Sequence, residues 1–315
     1  MRKRTILLAA LVAALFAAVA LVQGRQRAAR AAAAESERPA AGAPDAAEGP
    51  RIVALDPGLA ETLCMLGLGG RLVARTAFTD FPASVTNLPV VADAKGLDLD
   101  ALAAARPDFT ILPEPMLSAD LHRILEERRL SHFSVRNATL SDFYQCAYEL
   151  AVRFGAEETA RLWLETMDEI TGEASRRVAA AVTRAGGRAP SVLLVLGRPA
   201  SSPDRILAAG RQSFHQGLLD ALALPNACPS EVQYSELSLD EAAALRPDIL
   251  VEIRTGGDAA VIAALTDWAA RADIPAVRTG DVHVLTDAWA LRAGPRIDLL
   301  LSALADYAAQ WAEKQ

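Results

Sequence analysis

Apolar and polar positions along this chain fall into two rhythms. Short apolar runs bounded by turn residues predict strands at Arg51–Leu55, Leu72–Arg75, His132–Val135, Ser191–Leu196 and Val282–Leu285. Ser191–Leu196 is a continuous run of Val and Leu after its serine, the pattern of a strand buried on both faces of a parallel sheet. Between these runs, apolar positions at helical spacing predict helices from the Asp56-Pro57-Gly58 turn to about Leu68, around Ala119–Arg129, near Gln212–Leu222 and near Ala259–Ala270. The longest periodic stretch runs from about Glu157 to Ala185, where Trp163, Met167, Ile170, Ala174, Val178 and Ala181 recur every three or four positions. Twenty-nine residues at helical rise would span about 44 Å, and Gly186-Gly187 ends the pattern. Such a helix either packs within one domain or links two lobes as a strut.

An internal repeat argues for two lobes. Leu99-Asp100, Ala103-Ala104 and Arg106-Pro107-Asp108 lead into Phe109–Leu112; Leu239-Asp240, Ala243-Ala244 and Arg246-Pro247-Asp248 lead into Ile249–Ile253, at an offset of 140 residues throughout. In each copy an acidic residue opens a short helix, where the helix dipole favours it, and the Pro-Asp pair ends the helix before a strand. The expected fold class is α/β, with two similar lobes.

The N-terminus reads as an export segment. Arg2-Lys3-Arg4 precedes the apolar run Ile6–Val22, the basic and apolar regions of a signal that is cleaved at Ala18–Ala20 or within Ala31–Ala34, or retained as an anchor. No cysteine follows the run for lipid attachment. The expected organisation is residues 1–34 as signal or anchor, 35–50 as an Ala/Pro/Glu/Gly tether, 51–155 as the first lobe, 156–186 as the linking helix and 187–315 as the second lobe. Either fate of the signal leaves the body in the periplasm.

Charge and motif content narrow the function. The chain has 32 Lys+Arg against 39 Asp+Glu, a net charge of −7, and no basic run, which argues against nucleic acid as a partner. Cys64, Cys146 and Cys228 are far apart, without a CxxC or a Cys/His cluster; Cys64 and Cys146 sit in apolar helical patterns and are expected as buried thiols. His122, His132, His215 and His283 fall at unrelated places, so no metal site is expected. No G-x-S-x-G elbow, Walker loop or H-E-x-x-H occurs, and Gly67-Leu68-Gly69-Gly70 follows a helix as a C-cap rather than opening one. Catalysis has no visible team, so neither an enzyme nor a cofactor is expected.

Four pieces of the chain, taken in order, carry a family resemblance. They are Arg51-Ile-Val-Ala-Leu-Asp-Pro57 with Glu61 and Gly67; Thr79-Asp80-Phe81-Pro82; Gly96 through Asp108; and Arg292-Ala-Gly-Pro-Arg296. Through them, roughly Arg51 to Ala308 resembles the iron-siderophore, haem and vitamin B12 class of periplasmic substrate-binding proteins of ABC importers. The resemblance implies two Rossmann-like lobes joined by a single long helix, with limited closure and a ligand cleft between the lobes. It implies a monomer that delivers a metal chelate or corrinoid to an ABC permease dimer with its ATPase. An alternative use of the same fold is a membrane-tethered ligand sensor.

In open α/β sheets ligands sit beyond the carboxyl ends of the strands. Loops there supply Phe78, Phe81 and Trp289, and the guanidiniums of Arg198, Arg205, Arg254 and Arg292. Apolar walls with a few fixed cations suit a large, flat or anionic complex such as a ferric siderophore, haem or corrinoid. Phe81 reads as packing under its own loop and Arg296 as structural. Tyr234 is either an axial ligand for haem or a half-buried loop tyrosine. Ala94 and Pro113 stand where the corrinoid-binding pattern has tryptophans, which weakens cobalamin relative to the class. The candidate ligand set is therefore Phe78, Arg198, Arg205, Tyr234, Arg254, Trp289 and Arg292. The resemblance further implies that Asp100 and Asp240, matched positions of the repeat, dock the transporter; the alternative is that they are helix-capping or first-turn acids.

Overall fold

A computed structural model describes residues 48–199, 202 and 204–315. The expected signal and nearly all of the expected tether lie outside these residues. Among the described residues no helix is long and apolar enough to cross a membrane. They form two compact units: residues 48–168 with Arg292–Ile297, and residues 169–291 with 298–315.

The first unit is wound around a six-stranded sheet. Its elements are β1 (Ile52–Ala54), α1 (Pro57–Met65), β2 (Leu72–Thr76), β3 (Val90–Asp93), β4 (Gly96–Leu97), α2 (Leu99–Ala105), β5 (Phe109–Pro113), α3 (Ala119–Glu127), β6 (His132–Val135) and α4 (Leu140–Phe154). The strand order is β4-β3-β2-β1-β5-β6, parallel except for the short β3–β4 pair. Alternation along β1 and β5 sends Ile52, Ala54 and Ile111 to one face, packed with Leu59, Leu63 and Leu150. Val53 and Leu112 go to the other, packed with Leu102 and Leu125. Both faces of the sheet are thus covered, the requirement for an all-parallel core.

From α5 (Glu157–Arg184) the chain passes into the second unit: β7 (Val192–Gly197), β8 (Arg205–Ala209), α6 (Phe214–Ala221), β9 (Tyr234–Ser238), α7 (Leu239–Ala244), β10 (Ile249–Ile253), α8 (Gly257–Ala269), α9 (Pro275–Thr279), β11 (Val282–Leu285) and α10 (Ile297–Ala312). The boundary between the units falls within α5, after Asp168. Met167, Ala174, Val178 and Ala181 form the buried stripe the periodicity predicts.

The second sheet runs β11-β10-β7-β8-β9 and is mixed. β7 is parallel to β10 but antiparallel to β8, and β8 is antiparallel to β9. The apolar run at Ser191–Leu196 is therefore a central strand with only one parallel neighbour. Neither β8 nor β9 was expected from sequence. Arg-Ile-Leu-Ala-Ala has no strand rhythm and Tyr-Ser-Glu-Leu-Ser is polar; edge pairing decides their conformation.

The repeat holds at the level of atoms. Arg106 and Arg246 both take left-handed backbone conformations, with φ of 45° and 50°, at the ends of α2 and α7. Asp108 accepts the Arg51 backbone N–H at 2.7 Å, and Asp248 accepts that of Ser191 at 2.9 Å. Each repeat carboxylate thus ties its strand to the start of the neighbouring central strand. The Gly67–Gly70 stretch is the turn expected after α1: Leu68 N–H bonds to the Leu63 carbonyl, with Gly67 at φ 77°. All three cysteines are free and buried; burial pushes the Cys64 and Cys146 thiols up to about 12.

Candidate functional site

In the first unit the site is built at the carboxyl end of β1. Asp56 caps α1 by accepting the Leu59 N–H at 2.9 Å, and Pro57 supplies the pre-set first turn. Burial raises the Asp56 carboxyl above its usual range, against the opposing hydrogen bonds from Leu59 and Gly58. One turn into α1, Glu61 is buried at 3% exposure. Arg296 grips it with two contacts, Nε to Oε2 at 2.9 Å and Nη2 to Oε1 at 2.6 Å. Arg292 reaches the same carboxylate at 3.2 Å and spans to Asp80 at 2.7 Å. Its second terminal nitrogen donates to the Phe78 carbonyl at 2.9 Å.

Burial opposes ionisation of Asp80, but the hydrogen bond and charge of Arg292, with Arg296 behind, hold its carboxyl below the usual range. Phe81 lies under the Arg296 guanidinium, 4.2 Å from ring centroid to its carbon. Gly58 permits the assembly, because a Cβ there would stand 2.2 Å from the Ala293 carbonyl oxygen.

In the second unit Glu252, fully buried near the carboxyl end of β10, is the counterpart. Arg198, just beyond β7, donates to both its oxygens at 3.1 and 3.2 Å. The Trp268 indole N–H donates to the same carboxylate, and Arg198 also stacks over that ring. Arg254, just beyond β10, lies 3.7 Å from Glu252 and bonds Asp267 at 2.8 Å.

The structure therefore brings Phe78 and Arg292 together in one unit, and Arg198 and Arg254 together in the other. Arg205 opens β8 at the edge where β7, β10 and β11 end, paired in register with Ser238, and its guanidinium meets Glu236 at 3.4 Å. Trp289 follows β11 at that same edge, half-buried in a 3-10 turn. Tyr234 does not join them. It begins β9, opposite Ala209, at the other end of the strands and not in a loop.

The four candidate arginines are all engaged by carboxylates of the chain itself, so none is an uncommitted cation. Arg296, read as structural, is buried on Glu61. Phe78 is the most exposed aromatic of the set, at 52%, against 40% for Tyr234.

Asp100 and Asp240 cap neither helix; Asp98 and Ser238 do, accepting first-turn backbone N–H groups. The two aspartates stand in the first turns with side chains 88% and 95% exposed, beside Arg128 and Arg271. Sequence reading missed Glu61 and Glu252 as hubs, although a glutamate inside the apolar run Ile249–Ile253 is a legible signal of a buried charge. It also missed three metal-capable side chains, His122, Glu126 and His132, whose ligand atoms all lie within 4.8 Å of one another. The expectation that the histidines share no site rested on His–His spacing and overlooked the His122–Glu126 helical turn.

Comparison with known proteins agrees with this architecture. Residues 52–288 match the periplasmic binding protein family. Among solved structures, a periplasmic heme-binding protein from Pseudomonas aeruginosa superposes with a TM-score of 0.70 at 27% identity, covering 81% of this chain and 91% of that one. The vitamin B12-binding protein of Vibrio cholerae gives 0.67 at 19% identity over 84% and 98%. A periplasmic heme-binding protein holding two hemes gives 0.69 at 22% identity over 84% and 99%. The vitamin B12-binding protein of Yersinia pestis is 34% identical over 61 residues, 19% of this chain; the match spans only 22% of that relative's length.

Proposed function

The chain belongs to the periplasmic binding protein family, and from that premise we propose that it captures an iron chelate or corrinoid outside the inner membrane for an ABC importer. A flat metal chelate is the ligand the side chains favour, with haem the first to test. The observation that carries this reading is Phe78. A large aromatic held 52% exposed beside the carboxyl ends of the strands, its carbonyl fastened by Arg292, offers an apolar face to a planar macrocycle. Within the second unit, Arg254 is the more open of the two cations paired near Glu252 and suits an acidic group, which would compete with Asp267 for it. The haem-binding relative at 27% identity supports haem within the class. Asp100 and Asp240 are the proposed docking carboxylates for the permease, since each, though it meets an arginine of the chain on one side, keeps an exposed side chain that cations of a partner can reach.

Calorimetry and visible spectra against haem, cobalamin, cobinamide and a siderophore panel test the proposal. The expected result is one ligand bound at micromolar or tighter affinity without turnover, weakened by Phe78→Ala. Tyr234→Phe is expected to leave a haem spectrum unchanged, because Tyr234 begins its strand at the far edge of the sheet. A folded protein that binds none of these ligands overturns the reading.

A further inference from the structure

The first unit carries a second chemical group, on elements the arginine–glutamate cluster does not use. His122 and Glu126 are one turn apart on α3 and share a face. After α3 the chain turns sharply through Arg129, at φ 55°, with Leu130 N–H bonded to the Leu125 carbonyl at 2.9 Å. That turn delivers His132, the first residue of β6, to the same place. His122 Nδ1 and His132 Nε2 come within 2.8 Å, with the rings edge to face.

Two imidazoles and a carboxylate on one surface point are the donor set of a borderline divalent ion such as Zn2+. The group is also oriented as such a site requires. His132 Nδ1–H donates to the Leu130 carbonyl at 2.9 Å, which places the lone pair on Nε2, the atom facing His122. A backbone carbonyl behind the imidazole is the usual outer partner of a metal-bound histidine. The neighbouring guanidiniums are engaged elsewhere, Arg123 by Asp120 and Glu127 and Arg128 by Asp100.

We propose that His122, Glu126 and His132 bind one divalent transition ion, Zn2+ foremost, leaving a fourth position to solvent. Zinc–nitrogen bonds of about 2.0–2.1 Å in tetrahedral geometry put two ligand nitrogens about 3.3 Å apart. The rings must therefore separate slightly, which the exposed His122 allows. The proton on His122 Nδ1 moves through water to its own Nε2, freeing the lone pair for the ion. Binding then fastens α3 to β6, one of the two edge strands of the sheet.

The test is Zn2+ titration of untagged, chelator-treated full-length protein, read by calorimetry and by melting temperature. One Zn2+ per chain in the micromolar range, with a raised melting temperature, is expected. His122→Gln and His132→Gln should each weaken binding at least about tenfold and remove the thermal gain, as loss of even an outer partner does in known sites. Asp120→Ala, on the same helix but outside the donor set, should bind as the parent does. No saturable uptake, or uptake that survives His122→Gln with the fold intact by circular dichroism, overturns the proposal. Because His122 is exposed, that variant carries the test even if His132→Gln unfolds.

Discussion

Two buried glutamates, one in each unit, solve the same problem with different reach. Glu61 and Glu252 are both shielded from water, both held in two-point contact by an arginine, and both linked through a second arginine to a more exposed aspartate, Asp80 or Asp267. A carboxylate so placed must be paired, because an unpaired buried charge costs several kcal/mol. The difference is where the partners come from. Arg292 and Arg296 lie 231 and 235 residues from Glu61, whereas Arg198 and Trp268 lie 54 and 16 residues from Glu252. The first cluster fastens a late segment, Arg292–Ile297, into an early unit. The second braces one unit against itself. One ion-pair design therefore does long-range assembly in one place and local bracing in the other.

Breaking each hub tests that contrast, and it carries the largest expected effect. Glu61→Ala and Glu252→Ala should each cost about 3–5 kcal/mol, measured by denaturant unfolding, because each strands a buried guanidinium. The two should differ in amide exchange. Loss of Glu61 should release the backbone of residues 292–297, while loss of Glu252 should loosen β10 and α8 and leave that segment protected. Equal exchange patterns in the two variants would dissolve the distinction.

A pH titration sharpens the comparison, because the buried imidazole His215 belongs to the second unit. Burial pushes His215 down to about 4, against the opposing Ala290 carbonyl to which its Nε2–H donates. The unfolded chain takes up that proton near 6.5 and the folded one only near 4, so the unfolded state binds more protons in between. Stability is therefore full above pH 6.5 and falls as the pH drops towards 4, by on the order of 3 kcal/mol. Asp80, whose carboxyl is held low, acts in the same direction but only below the ordinary carboxylate range. Tryptophan fluorescence should report the loss, since Trp268, Trp289 and Trp311 all lie in the second unit. His215→Gln should flatten the profile between pH 4 and 6.5; an unchanged profile would assign the titration to another group.

The smallest expected stability effect belongs to the matched surface aspartates. Asp100→Lys with Asp240→Lys should shift stability by less than about 1 kcal/mol, because both side chains are exposed and neither caps its helix. Ligand affinity should stay nearly intact while binding to permease-containing membranes is lost. A double variant that still docks would move the docking surface elsewhere on both units.

The repeat, the parallel strands β1, β2, β5 and β6 of the first sheet and the long helix were legible along the chain, because each is written in local currency, whereas β3 and β4 were not. An apolar run, a helical stripe, a cap or a Pro-Asp break depends on neighbours within a few residues. Asp56 before Pro57, the ends of α2 and α7 ahead of Pro107 and Pro247, and the stripe through Met167, Ala174, Val178 and Ala181 all fall where local rules put them. Tertiary structure alone decided the rest. β8 and β9 are strands only because an open sheet edge pairs with them, and their own residues carry no strand rhythm. The candidate arginines read from sequence as free cations, yet their carboxylate partners lie up to 231 residues away, a distance over which no periodicity speaks. His132 meets His122 and Glu126 only because a tight turn folds β6 back beside α3. Periodicity reports burial, since hydrophobic contact is non-directional; which polar atoms meet depends on directed bonds that exist only once the backbone is in place.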